Sequence, residues 1–386
     1  MAHKYLIVGA GFSGSVLANQ LAENLDCTID VWDERSHVAG NCHTKRDTET
    51  NVMVHEYGPH IFNTDKKEIW DFVNKFVEFK PFVNRVKANY KDTIYSMPVN
   101  LHTINQFFNK SFGPAEAKAF IAAKADSSIT EPQSFEEQAL KFIGPELYRA
   151  FFYGYTKKQW GCEPKELPAS ILKRLPVRFN YNDNYYNNIY QGIPVDGYTA
   201  LIEKLLQSPK IKVTLNKKFT FSADLLNEYD HIFYTGPLDA FYNFKHGKLG
   251  YRTVFFEKHT TEGDYQGNAV INYCDEQVPY TRIHEHKHFA PWEEHDKTVY
   301  FKEFSKETEE NDIPYYPKRL EADKKILADY KNEALMDSHI SFLGRLATYR
   351  YMDMHHVIGE ALNFAAEYLQ SLQTNKKPPV FPHTDF

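Results

Sequence analysis

Cysteine is scarce in this chain. Four residues, Cys27, Cys42, Cys162 and Cys274, are scattered over 386 positions and never form a C-x-x-C pair. That scatter excludes a disulfide-built scaffold and the usual zinc spacings, so free thiols are expected. Cationic charge is not in excess either. With 45 Lys and Arg against 51 Asp and Glu, the net charge of −6 argues against a general nucleic-acid binder, which needs massed cations. No stretch approaches the ~18 uninterrupted apolar residues that span a bilayer. The start, "MAHKYLIVGAG", enters a strand pattern without the apolar core of a signal peptide. Low-complexity tracts and internal repeats are lacking too. These absences predict a soluble cytoplasmic protein with no membrane or nucleic-acid partner, long enough for two or three domains.

Aromatic side chains are what the chain has in plenty: 15% of it, with 29 Phe and 26 Tyr. The run "AFFYGYTKKQWG", Ala150 to Gly161, puts five rings into twelve residues. Such a cluster is either core or a platform for a flat ligand.

The N-terminal segment "KYLIVGAGFSGSVLANQLAENLDCTIDVWDE" reads strand, Gly turn, helix, strand. Gly9, Gly11 and Gly14 hold the G-x-G-x-x-G spacing, with Phe12 inside it. One glycine makes the turn, the next admits a pyrophosphate, and the third lets helix and strand pack closely. The helix N-terminus offers open N–H groups to phosphate. Asp33, about 20 residues on, is placed to accept hydrogen bonds from ribose hydroxyls. The stretch "ERSHVAGN" that follows, with Glu34, Arg35, Gly40 and Asn41, resembles the extension of glutathione-reductase-like flavoproteins that reaches the FAD pyrophosphate. The late "ISFLGR" strand leading to Asp353 resembles the second cofactor contact of that class. FAD is the cofactor this reading selects.

The rest of the chain is read more coarsely. "TDKKEIWDFVNKFV" is an amphipathic helix with Thr64 or Asp65 as its cap. Gly113 to Leu206 reads as mostly helical, with a capping box over Ser134 to Glu137. Strand patterns at 251–257, 268–273 and 298–304 suggest an antiparallel sheet. "MHHVIGEALNFAAEYLQ" closes the chain as an amphipathic helix. The fold class expected is α/β: a Rossmann-like FAD-binding domain with an inserted helical domain and an antiparallel β-sheet domain. The expected boundaries are 1–80, 200–245 and 335–386 for the FAD-binding domain. They are 100–190 for the helical domain, and 81–99, 191–199 and 246–334 for the sheet.

Seven stretches together resemble the UDP-galactopyranose mutase family, of bacterial type: "YGPHIFNT", "GYTKKQWG", "ELPASILKRLPVRF", "YQGIPVDGYTALIEKLL", "GNAVINY", "VPYTRIHEHKHF" and "GRLATYRYMDMH". They run over nearly the whole chain. The resemblance implies isomerisation of UDP-galactopyranose and UDP-galactofuranose by reduced FAD, without net redox change, feeding galactofuranose into cell-surface glycans. It implies that the sugar is held covalently on flavin N5, so no side-chain nucleophile is needed. It also implies a homodimer.

Residue by residue, the resemblance makes Arg174 and Arg282 the clamp on the departing diphosphate. Arginine suits that task because its planar fork matches phosphate oxygens. Phe151, Tyr155, Thr156 and Trp160 fall on the uridine and diphosphate side, Tyr155 stacking on uracil. Phe151 and Tyr155, four apart, are expected on one helical face, while Phe152 and Tyr153 are expected in the core. Tyr185, Tyr316 and Tyr351 would offer hydroxyls to phosphate, and Asn84, Asn272 and Glu303 would also meet substrate. His60 and Ile61 would lie by the flavin, with Arg345, Met352, Asp353 and Met354 on its other side. Asn63 stands where family members often carry His, and Met352 where the position is often aromatic.

His284, His286 and His288 alternate in "IHEHKHF", which on a strand would share one face. The resemblance implies no metal, so these are read as structural or cleft-edge histidines and no metal site is expected. The competing reading is an FAD-dependent oxidoreductase of the amine-oxidase or desaturase type; a flavin-binding protein without catalysis is the third. The paired arginines beside an aromatic helix favour the mutase, since an oxidase of apolar amines has no need of a diphosphate clamp.

Overall fold

Tyr5 and Ile7 face one hydrophobic core and Leu6 and Val8 face another, the two-residue alternation of a strand covered on both sides. Around that strand, His3–Val8, the computed structural model builds a five-stranded sheet; it describes residues 3–169, 171 and 177–382. The order is Ile211–Thr214, Cys27–Trp32, His3–Val8, His231–Tyr234 and Ile340–Phe342, with every pairing parallel. The helices Phe12–Asn24 and Met354–Gln373 pack against each other, and their Val16, Leu17, Leu21, Ile358 and Phe364 join Tyr5 and Ile7 in the first core. In chain order the strands run third, second, first, fourth, fifth. The winding reverses between His3–Val8 and His231–Tyr234, and such a reversal opens a crevice at the carboxyl ends of the strands.

A seven-stranded sheet follows the order Tyr316–Pro317, Tyr251–Glu262, Lys297–Glu307, Arg282–Glu285, Val270–Tyr273, Lys87–Tyr90, Thr93–Ser96. It is antiparallel as expected except where Val270–Tyr273 runs parallel to Lys87–Tyr90. The segment 191–199, expected in this sheet, instead contributes Tyr190–Pro194 to a small sheet with Phe62–Thr64 and Phe79–Pro81, and then enters the helix Gly197–Leu205.

The helical region begins as the sequence suggests. Ser134 caps Phe135–Leu147 by accepting the Glu137 N–H at 3.2 Å, while the Glu137 carboxylate takes the N–H of Gln133. The helix Lys67–Asn74 has no side-chain cap; Thr64 instead accepts the Lys66 N–H. Between Trp160 and Gly197 the described residues form no α-helix, against the helical expectation for that stretch. Asn180 and Asn182 accept the backbone N–H two residues on, the local bonding by which asparagine makes turns. The Arg178 guanidinium gathers the Asn182 and Asn184 carbonyls and the Asn187 amide, which shapes this loop. Among the described residues no helix is long and apolar enough to cross a membrane.

Candidate active site

Gly9 sits at φ +105°, and a side chain there would run into Thr235 at the end of the neighbouring strand. A side chain on Gly14 would strike the Gly9 carbonyl. Close approach therefore requires both glycines. Gly11 is the N-cap of Phe12–Asn24 and brings no side-chain cap, so the first helical N–H groups stay open, as an anion site needs. Asp33 steadies this turn. One carboxylate oxygen accepts the Ala10 N–H at 2.8 Å and the other the Arg35 N–H at 2.9 Å. A carboxylate has about four lone-pair sites, so acceptor capacity remains for hydroxyls.

Arg35 donates to Asn41 Oδ1 at 2.9 Å and lies 4.7 Å over the ring of Tyr57, while its Nη1 is buried without a protein partner. Arg345 donates Nη2 to the Tyr315 carbonyl at 2.7 Å, and its Nε is likewise buried and unpartnered. Asn84 Oδ1 is a third such atom. Buried polar atoms of this kind normally find a partner, and all three residues line one cavity of about 1560 Å³. Ordinary small-molecule pockets occupy about 300–1,000 Å³, so this one has room for a dinucleotide and a second ligand. The open glycine backbone, the two arginines and the orphaned donors fit a flavin dinucleotide.

From the cofactor set the cavity is lined by Gly9, Gly11, Phe12, Asp33, Glu34, Arg35, Gly40, Asn41, His60, Ile61, Arg345, Met352, Asp353 and Met354. From the substrate set it takes Asn84, Tyr155, Tyr185, Asn272, Arg282, Glu303, Tyr316 and Tyr351. Three of the latter come from adjacent strands at one level, Asn272 opposite Arg282 and Arg282 opposite Glu303. Arg282 forks onto Glu303 through Nε at 2.9 Å and Nη2 at 2.7 Å, leaving Nη1 outside the pair. Burial works against the Arg282 cation, but Glu303 outweighs it and holds the guanidinium well above its ordinary range. Burial also raises the tyrosine hydroxyls: Tyr155 well beyond its usual value, Tyr185 upward, Tyr316 to about 12, all within the field of Arg282. They stay protonated and are donors.

His60 Nδ1 lies 2.8 Å from the Gly58 carbonyl, which only accepts, so Nδ1 carries the proton and Nε2 a lone pair. Burial draws its pKa down to about 4, Arg345 and Arg282 assisting, so the ring is neutral near pH 7. Arg174 lies outside the described residues.

Phe151, Thr156 and Trp160 do not line the cavity. Tyr148–Tyr153 is a π-helix that passes into the α-helix Gly154–Trp160. Its wider turn breaks the expected four-residue face. Phe151 packs among Tyr90, Tyr95 and Phe107 at ring distances of 5.0 to 6.1 Å, while Tyr155 lines the cavity with Arg282. Phe152 is core, and the Tyr153 hydroxyl reaches Glu163 at 3.0 Å. Thr156 is buried and Trp160 packs against the core holding Phe151. Gly14 does not line the cavity. The histidine alternation is also broken, because the strand ends at Glu285 and His286–Phe289 is a 3-10 helix. His284 and His286 are fully buried, and burial keeps both far below the usual histidine pKa.

Lining residues absent from the sequence reading include Tyr57, Tyr186 and Thr235. Tyr57 lies in the quoted "YGPHIFNT", and Tyr186 is the next residue after Tyr185. Thr235 ends the strand nearest the Gly turn, a place that the winding order marks.

Fold and site together define a Rossmann-type dinucleotide-binding protein with a cationic, tyrosine-rich chamber beside its cofactor cleft. A family model described as UDP-galactopyranose mutase matches residues 150–351, and one described as NAD(P)-binding Rossmann-like domain matches residues 7–76. A probable UDP-galactopyranose mutase of Klebsiella pneumoniae is 56% identical over 376 residues, 97% of each chain. A dTDP-fucopyranose mutase of Escherichia coli is 52% identical over 374 residues, covering 96% of this chain and 99% of its own. A crystal structure of reduced UDP-galactopyranose mutase superimposes with a TM-score of 0.76 at 14% identity, covering 99% of both chains, which establishes the shared fold. The chain belongs to the UDP-galactopyranose mutase family. It is a flavin-dependent mutase, an isomerase rather than an oxidoreductase.

Proposed function

We propose that this protein interconverts the pyranose and furanose forms of a nucleoside-diphosphate hexose, with UDP-galactose as its substrate and FAD active in the reduced form. The observation that carries the reading is the row Asn272–Arg282–Glu303, which lines one cavity together with Tyr155 and the Gly turn. Held by the Gly9 and Gly11 turn, Arg35 and Arg345, a reduced flavin would supply the electron pair that the sugar carbon accepts in place of the diphosphate oxygen. The protein then has three tasks. Arg282, fixed by Glu303, meets the charge that grows on the departing diphosphate, an effect strongest in a desolvated site. The hydroxyls of Tyr185, Tyr316 and Tyr351 donate to its oxygens, and the Tyr155 ring is assigned to the uracil. His60, neutral with a free Nε2 lone pair, offers an acceptor rather than a second cation beside the sugar. Arg174 is assigned to the same clamp on the strength of the family motif. No proton or hydride needs to leave the site for good, which suits an isomerisation.

A second substrate, dTDP-fucose, is favoured by one observation: the two relatives differ by only four points of identity to this chain (56% against 52%). Dithionite-reduced protein incubated separately with UDP-galactofuranose and dTDP-fucofuranose, followed by chromatography, tests both. Conversion of the first to UDP-galactopyranose with the flavin still reduced is expected. Turnover of the dTDP sugar alone moves the assignment to that substrate, and turnover of neither ends the reading. The homodimer is an inference from the family, checked by light scattering of the purified protein.

A further inference from the structure

The proposed nucleotide site uses Tyr155 but gives no task to Lys158, on the same short helix. Its ammonium donates to four backbone carbonyls: Tyr273 at 2.7 Å, Asp275 at 2.8 Å, Val278 at 2.9 Å and Tyr280 at 3.0 Å. An ammonium has three N–H donors, so the four oxygens share them. Tyr273 ends the strand Val270–Tyr273 and the other three lie in the turn joining it to Arg282–Glu285, the two strands that carry Asn272 and Arg282. The neighbouring Lys157 has an ordinary surface role, pairing with Glu163 and Glu276. Lys158 is different, because the turn is folded around its charge.

Other contacts press the same helix onto the same sheet. A side chain on Gly154 would run into the Cys274 carbonyl and come within 3.0 Å of the Glu276 nitrogen, so the helix begins in direct contact with the turn. At its other end Gly161 takes φ +70°, and a side chain there would overlap the Arg252 guanidinium. Arg252 Nε and Ser305 Oγ both donate to the Gln159 carbonyl, at 3.1 and 2.7 Å. The segment "GYTKKQWG" therefore has a glycine contact at each end, Lys158 gripping the turn, and Tyr155 lining the cavity with Arg282.

We infer that Lys158 is a positioning residue of the mutase site. Its ammonium organises the 273–280 turn and thereby sets Asn272 and Arg282 at the distance from Tyr155 that the nucleotide diphosphate requires. Burial draws the ammonium pKa down to about 8, while Cys274, Asp275 and Glu276 oppose that fall. The carbonyl dipoles further favour the charged form. Without the ammonium, four carbonyl oxygens would converge on an apolar gap, and the turn would have to open.

The kinetic part of this inference rests on the nucleotide-sugar reading, so the test has an arm that does not. The FAD-loaded protein and its Lys158→Met variant are compared by hydrogen exchange over peptides covering 273–281, and by reduced-enzyme kinetics with UDP-galactofuranose. Exchange in that turn is expected to quicken at least tenfold, with flavin absorbance and helix content unchanged. A positional error of about 1 Å costs about 100-fold in rate, so kcat is expected to fall by that order. Lys157→Met serves as the control and matches the parent in both arms. Unchanged exchange in Lys158→Met overturns the inference whether or not the protein turns over UDP sugars. Quickened exchange with unchanged kcat and KM overturns the link to catalysis. A parent without turnover defeats the substrate reading instead and leaves the exchange arm to decide. If Lys158→Met does not fold, Lys158→Ala is refolded with ethylammonium or with tetramethylammonium, which has no N–H. Recovery with ethylammonium alone supports the cage, and equal response to both overturns it.

Discussion

Arg282 and Glu303 meet as two parallel hydrogen bonds between neighbouring strands, with Nε and Nη2 on the two carboxylate oxygens. Thr281 adds a hydroxyl donor to the same carboxylate, and His284 lies 3.4 Å from it beneath the cavity floor. The guanidinium is therefore aimed before any ligand arrives, and the donors outside the fork are the ones a diphosphate would meet. Arg282→Lys keeps a charge but loses the fork. The expected outcome is a folded, FAD-loaded protein with kcat lowered about 100-fold or more, measured with reduced enzyme. Near-parental kcat would place the clamp elsewhere.

Tyr155 and Phe151 should separate cleanly under mutation. Base stacking contributes about 1–3 kcal/mol, so Tyr155→Ala is expected to weaken UDP binding about 5- to 150-fold, with Tyr155→Phe much closer to the parent. Phe151→Ala removes a ring buried among Tyr90, Tyr95 and Phe107. It is expected to cost about 3–5 kcal/mol of stability while UDP affinity in the surviving fold is kept. UDP titration calorimetry beside denaturant unfolding distinguishes the two. A loss of affinity without a loss of stability in Phe151→Ala would contradict its place in the core.

The cofactor turn makes a third expectation. Asp33→Ala frees the Ala10 and Arg35 N–H groups that the carboxylate now holds. Arg35→Ala removes the guanidinium over Tyr57. Both variants are expected to purify with reduced flavin content, read from the absorbance near 450 nm, and to regain colour only at raised FAD. Full flavin occupancy in both would assign the cofactor contacts to other residues.

Acid should destabilise this protein early. His60 has its pKa drawn down by burial to about 4, His231 and His286 to about 3, and His55 and His284 fall well below the usual value. Once unfolded, each takes up a proton near 6.5. The unfolded state then binds more protons, so stability falls as pH drops from about 6.5 towards the folded-state values. The slope is about 1.4 kcal/mol per pH unit for each histidine fully protonated only when unfolded. Denaturant midpoints between pH 7 and 5 measure it, and His286→Leu is expected to flatten the curve. A midpoint independent of pH in that range would show that these rings titrate normally in the fold.

The Gly9–Gly14 turn was legible in sequence because its requirements are local: a positive φ, a close carbonyl and an open helix start lie within six residues. That Tyr155, Tyr185, Tyr316, Tyr351 and Arg282 line one cavity was legible only through motif resemblance, since their neighbours across it come from distant parts of the chain. Phe151 was misplaced because a 3.6-residue period assumes an unbroken α-helix, and nothing in "YRAFFY" announces a wider turn. Lys158 went unremarked for a related reason. A lysine on a helix reads as solvated, and the carbonyls it binds lie 115 to 122 residues further along.

The wide turn at Tyr148–Tyr153 also makes the spacing of this segment a mechanical setting. Each residue of an α-helix advances it by about 100°, so deleting one position ahead of Gly154 would swing the Tyr155 ring out of the cavity and send the lysine away from its carbonyls together. Length here is thus as consequential as composition, and a protein with every side chain of the chamber intact could be silenced by a single-codon loss.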